Sequence, residues 1–287
     1  MFDETTVDSA IADMPGVASV WLGPVDGPAV LSRAADAIHP AASTMKVAVL
    51  VALFRAAAAG QLDLDATVTV HNEFTSAAPG APPYGCTERY DSDPLVWQRL
   101  DSPVRVGWLA ERMIVRSSNL ATNLVLAHVG VPAVAAVLGD AGARHSAVTR
   151  GIEDSAAADA GLANLVTARD LALVLRGIAG RHLAGPAECA AMLEILERQE
   201  FRDDLAAGLP AGTRVAGKNG WLRGIRHSAG VVFPEDAPPF VLAVCLSTPL
   251  AVNRHDDAAC QIVARIAAAA WAGRHRLSRA GGPEARR

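Results

Sequence analysis

The 287-residue chain is 51% hydrophobic with a mean hydropathy of +0.22, so it can bury a large core and is not a mainly disordered protein. Its net charge of -4 and pI near 6.1 leave no basic footprint, which argues against a nucleic-acid partner. The one Arg-rich stretch, Arg274 to Arg287, reads as a frayed tail.

Much of the hydrophobicity is alanine, which favours helix. The acidic start, Met1 to Thr5, has neither the charged lead nor the apolar centre of a secretory signal, which predicts a cytoplasmic protein. A short helix is expected near Val7 to Met14. A β-hairpin follows, Val17 to Leu22 and Ala29 to Ala34, around the turn Gly23-Pro24-Val25-Asp26-Gly27-Pro28. From Ser43 to Ala59 apolar residues recur at helical spacing, with Ser43 at the helix start and Gly60 just past its end. Phe74 to Ser102, rich in Pro, Gly, Asp and Ser, reads as a long irregular loop of the kind that carries function.

Helices are predicted over Val106 to Met113, Asn119 to His128, Val131 to Leu138, Thr167 to Ile178 and Ala187 to Leu196, with no strand among them. The longest stretch without formal charge, Leu120 to Gly139, contains Asn123, His128, Gly130 and Pro132. It reads as two helices with a break and not as a membrane span. Three strands are expected at Arg214 to Lys218, Ser228 to Phe233 and Phe240 to Leu246, joined by Gly220 to Arg226 and Pro234 to Pro239, before a last helix, Asp256 to Trp271. The order implies an α/β (α+β) protein with one sheet built from both termini, residues 1–40 and 212–287, and a helical subdomain, 41–211, inserted between them. Cys86, Cys189, Cys245 and Cys260 are scattered, without zinc or disulfide-framework spacing, and read as buried apolar residues. No metal or cofactor is expected.

Only two lysines occur, against many arginines, and each lies in a short pattern: Ser43-Thr44-Met45-Lys46 and Lys218-Asn219-Gly220. An amine differs from a guanidinium in that burial or a neighbouring cation can lower its pKa until it acts as a base. A serine three residues before a lysine at a helix start shares its face, so the amine can take the hydroxyl proton and the helix N-terminus favours the charge that develops. Alone, the pair is weak evidence, since Ser43 could be an ordinary helix cap.

With Ser117-Ser118-Asn119 between them, the three patterns resemble the active-site signature of the serine β-lactamases and penicillin-binding transpeptidases, especially class A enzymes, and nearly the whole chain is covered. The resemblance implies that superfamily's fold, a five-stranded antiparallel sheet flanked by helices with an inserted all-helical subdomain. It makes Ser43 the acylated nucleophile, Lys46 its proton acceptor and Ser117 the relay to the leaving nitrogen. Asn119 would hold Lys46 and the substrate, and Lys218 would lower the pKa of that network and attract a substrate carboxylate. The N–H groups of Ser43 and Trp221, beside Asn219 and Gly220, would form the oxyanion hole.

Three departures stand out. Ser118 occupies the middle position where class A enzymes usually have aspartate. Asn219 replaces a hydroxyl residue that helps to bind a carboxylate. The loop that should carry the deacylating glutamate reads Arg150-Gly151-Ile152-Glu153-Asp154, one residue out of register and without the Leu-Asn pair that positions water. With Gly161, Asn164, Thr167, Ala168, Arg169 and Asp170 it looks more like a branch of serine hydrolases related to class A. Glu153 is either the base for water or, with Asp154, a partner of Arg150 or a turn cap.

Arg226 and Arg223 would either offer a fork to a substrate carboxylate or be solvated hairpin charges. His227 is read as structural, and Trp97, Trp108 and Tyr84 as pocket wall or core. The reading is a serine hydrolase acting on a small-molecule amide, ester or β-lactam, with no nucleic-acid or membrane partner. The alternatives are a penicillin-binding or acyltransferase-like protein, a non-turnover sensor, or an unrelated helical scaffold.

Overall fold

A computed structural model of the chain describes residues 4–277. Helix α1 (Thr5–Ile11) leads into the predicted hairpin, β1 (Val17–Pro24) and β2 (Leu31–Arg33), which pair with Val20 opposite Arg33 and Leu22 opposite Leu31. The chain then crosses β3 (His39–Pro40) into a 3-10 turn, Ala42–Met45, and only at Lys46 into helix α2 (Lys46–Ala58). Ser43 therefore lies one tight turn ahead of the expected α-helix. That winding brings the residues at i and i+3 into eclipse, which stacks Ser43 over Lys46 more directly than an α-turn would. From Val47 to Phe54 every residue of α2 is buried, as expected of a helix that is apolar all round and runs through the centre of a core.

The long loop is closed at its neck by β4 (Thr67–Thr69) and β5 (Pro103–Arg105), paired through Val68 and Val104. It carries a 3-10 turn, Glu88–Tyr90, and the one-turn helix α3 (Pro94–Trp97). Helices α4 (Val106–Val115), α5 (Asn119–Val129) and α6 (Val131–Asp140) follow. Gly130, at φ +77, breaks the charge-free stretch, and α5 and α6 meet at 86°. Among the described residues, no single helix is long and apolar enough to cross a membrane. The short α7 (Ser155–Asp159) and β6 (Leu165–Val166), which pairs with β3, escaped prediction, as did β3, β4, β5 and α3. Helices α8 (Ala168–Ala179) and α9 (Pro186–Glu197) complete the block.

The chain then returns to the sheet. The first two strands predicted there are one extended run, β7 (Arg214–Phe233), followed by β8 (Phe240–Val252). The sheet order is β2-β1-β8-β7, with β8 antiparallel to both neighbours. Gly217 and Gly230 lie so close that a Cβ on the former would be 2.9 Å from Ala229 O. The run thus folds back near Gly224 (φ +82), and its two arms complete five antiparallel arms. Residues along β8 alternate between two cores, as the period of a strand requires. Leu242 and Val244 pack with Ile262, Val263 and Ile266 of α10 (Ala258–Ala272), whereas Val241, Ala243 and Cys245 face the helical block around α2. The start of the predicted tail is helical, α11 (Arg274–Leu277), and Arg274 pairs with Asp236 at 2.5 Å. The rest of that tail lies outside the described residues.

Candidate active site

Lys46 is completely buried, and its Nζ lies within hydrogen-bond distance of four oxygens, none of them a carboxylate: Ser117 O at 2.7 Å, Asn119 Oδ1 at 3.1 Å, Ser117 Oγ at 3.2 Å and Ser118 O at 3.4 Å. Burial without a paired acid disfavours the ammonium form and pushes the pKa down to about 7, while Asp91 and then Cys86 act in the opposite direction. The first two sequence patterns therefore meet on one amine. Ser118 caps α5 by accepting from Ala121 N–H at 3.1 Å. Ser117 adopts a left-handed backbone, φ +57, that turns its carbonyl and hydroxyl toward Lys46.

The third pattern lies on the first arm of β7, against the turn that carries Ser43. A Cβ on Gly220 would sit 2.7 Å from Ser43 N and 3.1 Å from Ala42 Cβ, so only glycine allows the strand to approach this closely. Ala42 itself is held at φ +46, a strained conformation immediately before the candidate nucleophile. Gly220→Ala is expected to slow acylation of Ser43 by about 10- to 100-fold, because the turn must move by a fraction of an ångström. A stopped-flow acylation rate beside a urea midpoint changed by less than about 1 kcal/mol would check this.

Lys218 is buried, donates to Asn219 O at 2.9 Å, and is held well below the usual amine range, first by burial and then by the charge of Lys46. The Asn219 side chain turns away from the site and donates to Phe201 O at 3.1 Å and Asp204 Oδ2 at 3.2 Å. Arg226 is not a substrate fork. It is fully buried, paired to Asp257 at 3.1 Å and more distantly to Asp204 at 3.8 Å, and its guanidinium lies 5.2 Å from the Trp221 ring centre. Arg223 is exposed at the hairpin tip. His227 Nε2 must carry its proton, since it donates to Pro40 O at 2.8 Å. Burial lowers its pKa to about 4, so it serves as a neutral strut beneath the chain that leads to Ser43.

Glu153 also adopts a left-handed backbone, φ +66. Its Oε2 accepts from Thr87 N–H at 3.0 Å, while the buried Oε1 has no hydrogen-bond partner. Asn123 grips the loop from below, accepting from Ile152 N–H at 2.7 Å and donating to Ile152 O at 2.9 Å. Asp154 is buried, caps α7 and accepts from Ser76 Oγ at 2.7 Å and Ala77 N–H at 2.8 Å. Asn164 spans the loop's base through Thr149 N–H, Arg150 N–H and Arg150 O. The Arg150 guanidinium bonds to Leu162 O and Gly151 O, so it is not the partner of Glu153.

Between this loop and the hairpin lies a cleft of about 720 Å³ whose wall includes Ser43, Ser117, Asn119, Glu153 and Trp221. Lys46 and Lys218 lie behind that wall. Trp97, Trp108 and Tyr84 pack against the core. Asp91, Asp93, Asn123 and Asp204 escaped the sequence reading, because each acts through contacts at least 15 residues away with no local spacing to announce them.

The sequence matches the beta-lactamase enzyme family over residues 4–273. No curated protein matches it. The chain is similar to a beta-lactamase from Sphaerobacter thermophilus, at 25% identity and a TM-score of 0.79, covering 96% of this chain and 98% of that one. It is also similar to PBP-A, at 23% identity and a TM-score of 0.77, covering 94% of each. A reconstructed class A beta-lactamase of the last common ancestor of Gram-negative bacteria aligns at 22% identity and a TM-score of 0.77, covering 94% of this chain and 98% of that one. These likenesses agree in fold with the five-armed sheet and inserted helices, and the family match spans both the sheet and the helical block that carries Ser43 and Lys46. The chain belongs to the beta-lactamase enzyme family and is a serine hydrolase.

Proposed function

We propose that the protein hydrolyses a β-lactam or a related small amide or ester through an acyl-enzyme on Ser43. The observation that carries this reading is Lys46, an amine held near neutrality by burial and placed one eclipsed turn from Ser43. In this scheme neutral Lys46 takes the Ser43 hydroxyl proton as Oγ attacks the carbonyl carbon. The N–H groups of Ser43 and Trp221 receive the oxyanion, which supplies a few kcal/mol at the transition state. Collapse breaks the C–N bond, and the proton reaches the leaving nitrogen from Lys46 through Ser117. Lys218, buried nearby, keeps the network from holding an extra proton.

For deacylation, Glu153 takes a proton from water as the water attacks the acyl carbon. The bond between that carbon and Ser43 Oγ then breaks, and Oγ takes back a proton from Lys46, which regains one from Glu153. The unpartnered Oε1 of Glu153 supports this role. A second reading, a long-lived acyl-enzyme used for binding or transfer, is favoured by the bond that commits Oε2 to Thr87. Among the similar structures, a variant of PBP-A is an acyl-enzyme complex with penicillin G.

Intact-mass time courses with a penicillin and a cephalosporin test both readings. Hydrolysis predicts an adduct that forms on Ser43, is absent in Ser43→Ala, and clears. In Glu153→Gln the adduct should clear about 100-fold more slowly. An adduct that persists in the unaltered protein would favour transfer, and no adduct at all would move the substrate class to esters or peptides.

A further inference from the structure

Four consecutive residues of the long loop are each tied to the corner between α4 and α5. Asn119 Nδ2 donates to Tyr90 O at 3.2 Å. Asp91 Oδ2 accepts from Ser118 Oγ at 3.0 Å and from Leu120 N–H at 2.9 Å. The Arg116 guanidinium donates to Ser92 O at 3.1 Å, and Arg112 makes a two-pronged bond to buried Asp93 at 2.5 and 2.8 Å. Asp91 Oδ1 also accepts from Asp93 N–H at 3.0 Å. The Ser117-Ser118-Asn119 motif contains no charge of its own, and this loop brings a carboxylate into direct contact with its central residue.

We propose that Asp91 is the positioning residue of the Ser117-Ser118-Asn119 motif: its carboxylate fixes Ser118 and the start of α5, and through them holds Ser117 and Asn119 on Lys46 while supplying negative charge beside that amine. The inference rests on Lys46 as the base of the proposed function. Two features separate this from a plain loop anchor. The residues on either side of Ser118 hold Lys46 by the shorter bonds, and Ser118 O itself lies 3.4 Å from the amine, so a shift at Ser118 is passed to all three. Asp91 is also the main group opposing the effect of burial on Lys46. The other titratable groups that act on Lys46 are the Cys86 thiol, which burial raises to about 12, and Lys218 on β7.

Because the chain has only two lysines, a protein labelled with 13C at lysine Cε gives two side-chain resonances, assigned with Lys218→Arg. Their titration reads Lys46 without any substrate. In Asp91→Asn the Lys46 inflection should move to lower pH by about half a unit or more, and the acid limb of the acylation rate should move with it. Asp91→Ala should acylate about tenfold more slowly, and Ser118→Asp added to it should restore most of that loss by returning a carboxylate to the same place. An inflection that stays put in Asp91→Asn, or a slow Asp91→Ala enzyme that Ser118→Asp leaves slow, overturns the proposal. If Asp91→Ala does not fold, the Asp91→Asn titration decides. If the unaltered protein is acylated by nothing, the functional reading fails, and the titration still decides the part of Asp91.

Discussion

Replacing Lys46 by methionine is expected to slow acylation of Ser43 by roughly 10³-fold or more, the loss found when a nucleophile's base is removed. Methionine keeps most of the length of the side chain and its packing around α2 but cannot accept a proton. Lys218 cannot substitute, because its Nζ is committed to the carbonyl of Asn219, the next residue along β7. Adduct formation followed by mass reads the effect directly, and a rate within tenfold of the original would remove Lys46 from the mechanism.

The same variant should change how stability depends on pH. The unfolded chain holds the Lys46 proton up to its usual pKa of 10.5, whereas the folded chain releases it near 7. Between these values the unfolded state binds more protons, so folded stability rises with pH, at up to about 1.4 kcal/mol per pH unit for each such group. Below pH 7 the penalty is fully present. Above pH 9 the buried thiols act in the opposite sense, since Cys86 and Cys260 are raised from 9 to about 12 and the unfolded chain loses those protons first. The urea midpoint should therefore climb from pH 7 to 9, and climb less steeply in Lys46→Met, with Lys218 supplying the remainder. A slope that is the same in both proteins would show that Lys46 is charged in the folded state.

Arg226→Ala is expected to cost about 3–5 kcal/mol of folding stability, the range for breaking a buried ion pair by removing one partner. Asp257 and Asp204 are both buried and would be left without their cation. Burial already raises the Asp204 pKa, against hydrogen bonds from Ser228, Leu205 and Asn219. Trp221 would lose the guanidinium beneath its ring, so acylation should slow as well. Adding Asp257→Asn should recover part of the stability, because one of the uncompensated charges is then neutral. A urea midpoint that shifts by less than about 1 kcal/mol would mean that water reaches the two acids once the arginine is gone.

The helices were legible because their apolar spacing is local. From α4 to α9 the predicted and observed bounds agree to within two residues wherever a helix was predicted. The Ser43 to Lys46 spacing was legible for the same reason. The backbone that makes it work was not, since Ala42, Ser117 and Glu153 take left-handed conformations without being glycine, and tertiary contacts impose them. Arg226 was misread because a charged residue beside an exposed hairpin tip looks solvated until the acids behind the strand are known. Asp257 and Asp204, which hold it, lie 31 and 22 residues away along the chain. The same distance hid Asp91, whose place beside Ser118 depends on the path of a loop with no periodicity.

The cleft walls differ in what they can tolerate. Four consecutive residues bolt one wall to α4 and α5, and Asn123, Asp154 and Asn164 bolt the opposite one. Change in either wall disturbs folding and catalysis together. The hairpin tip is different: Leu222 borders the cleft yet is 47% exposed, and Arg223 beside it is exposed too. Drift at these two positions can reshape the mouth of the cleft while leaving the fold and the proton path intact. Within this scaffold, new substrate preferences can arise at the tip of β7 first.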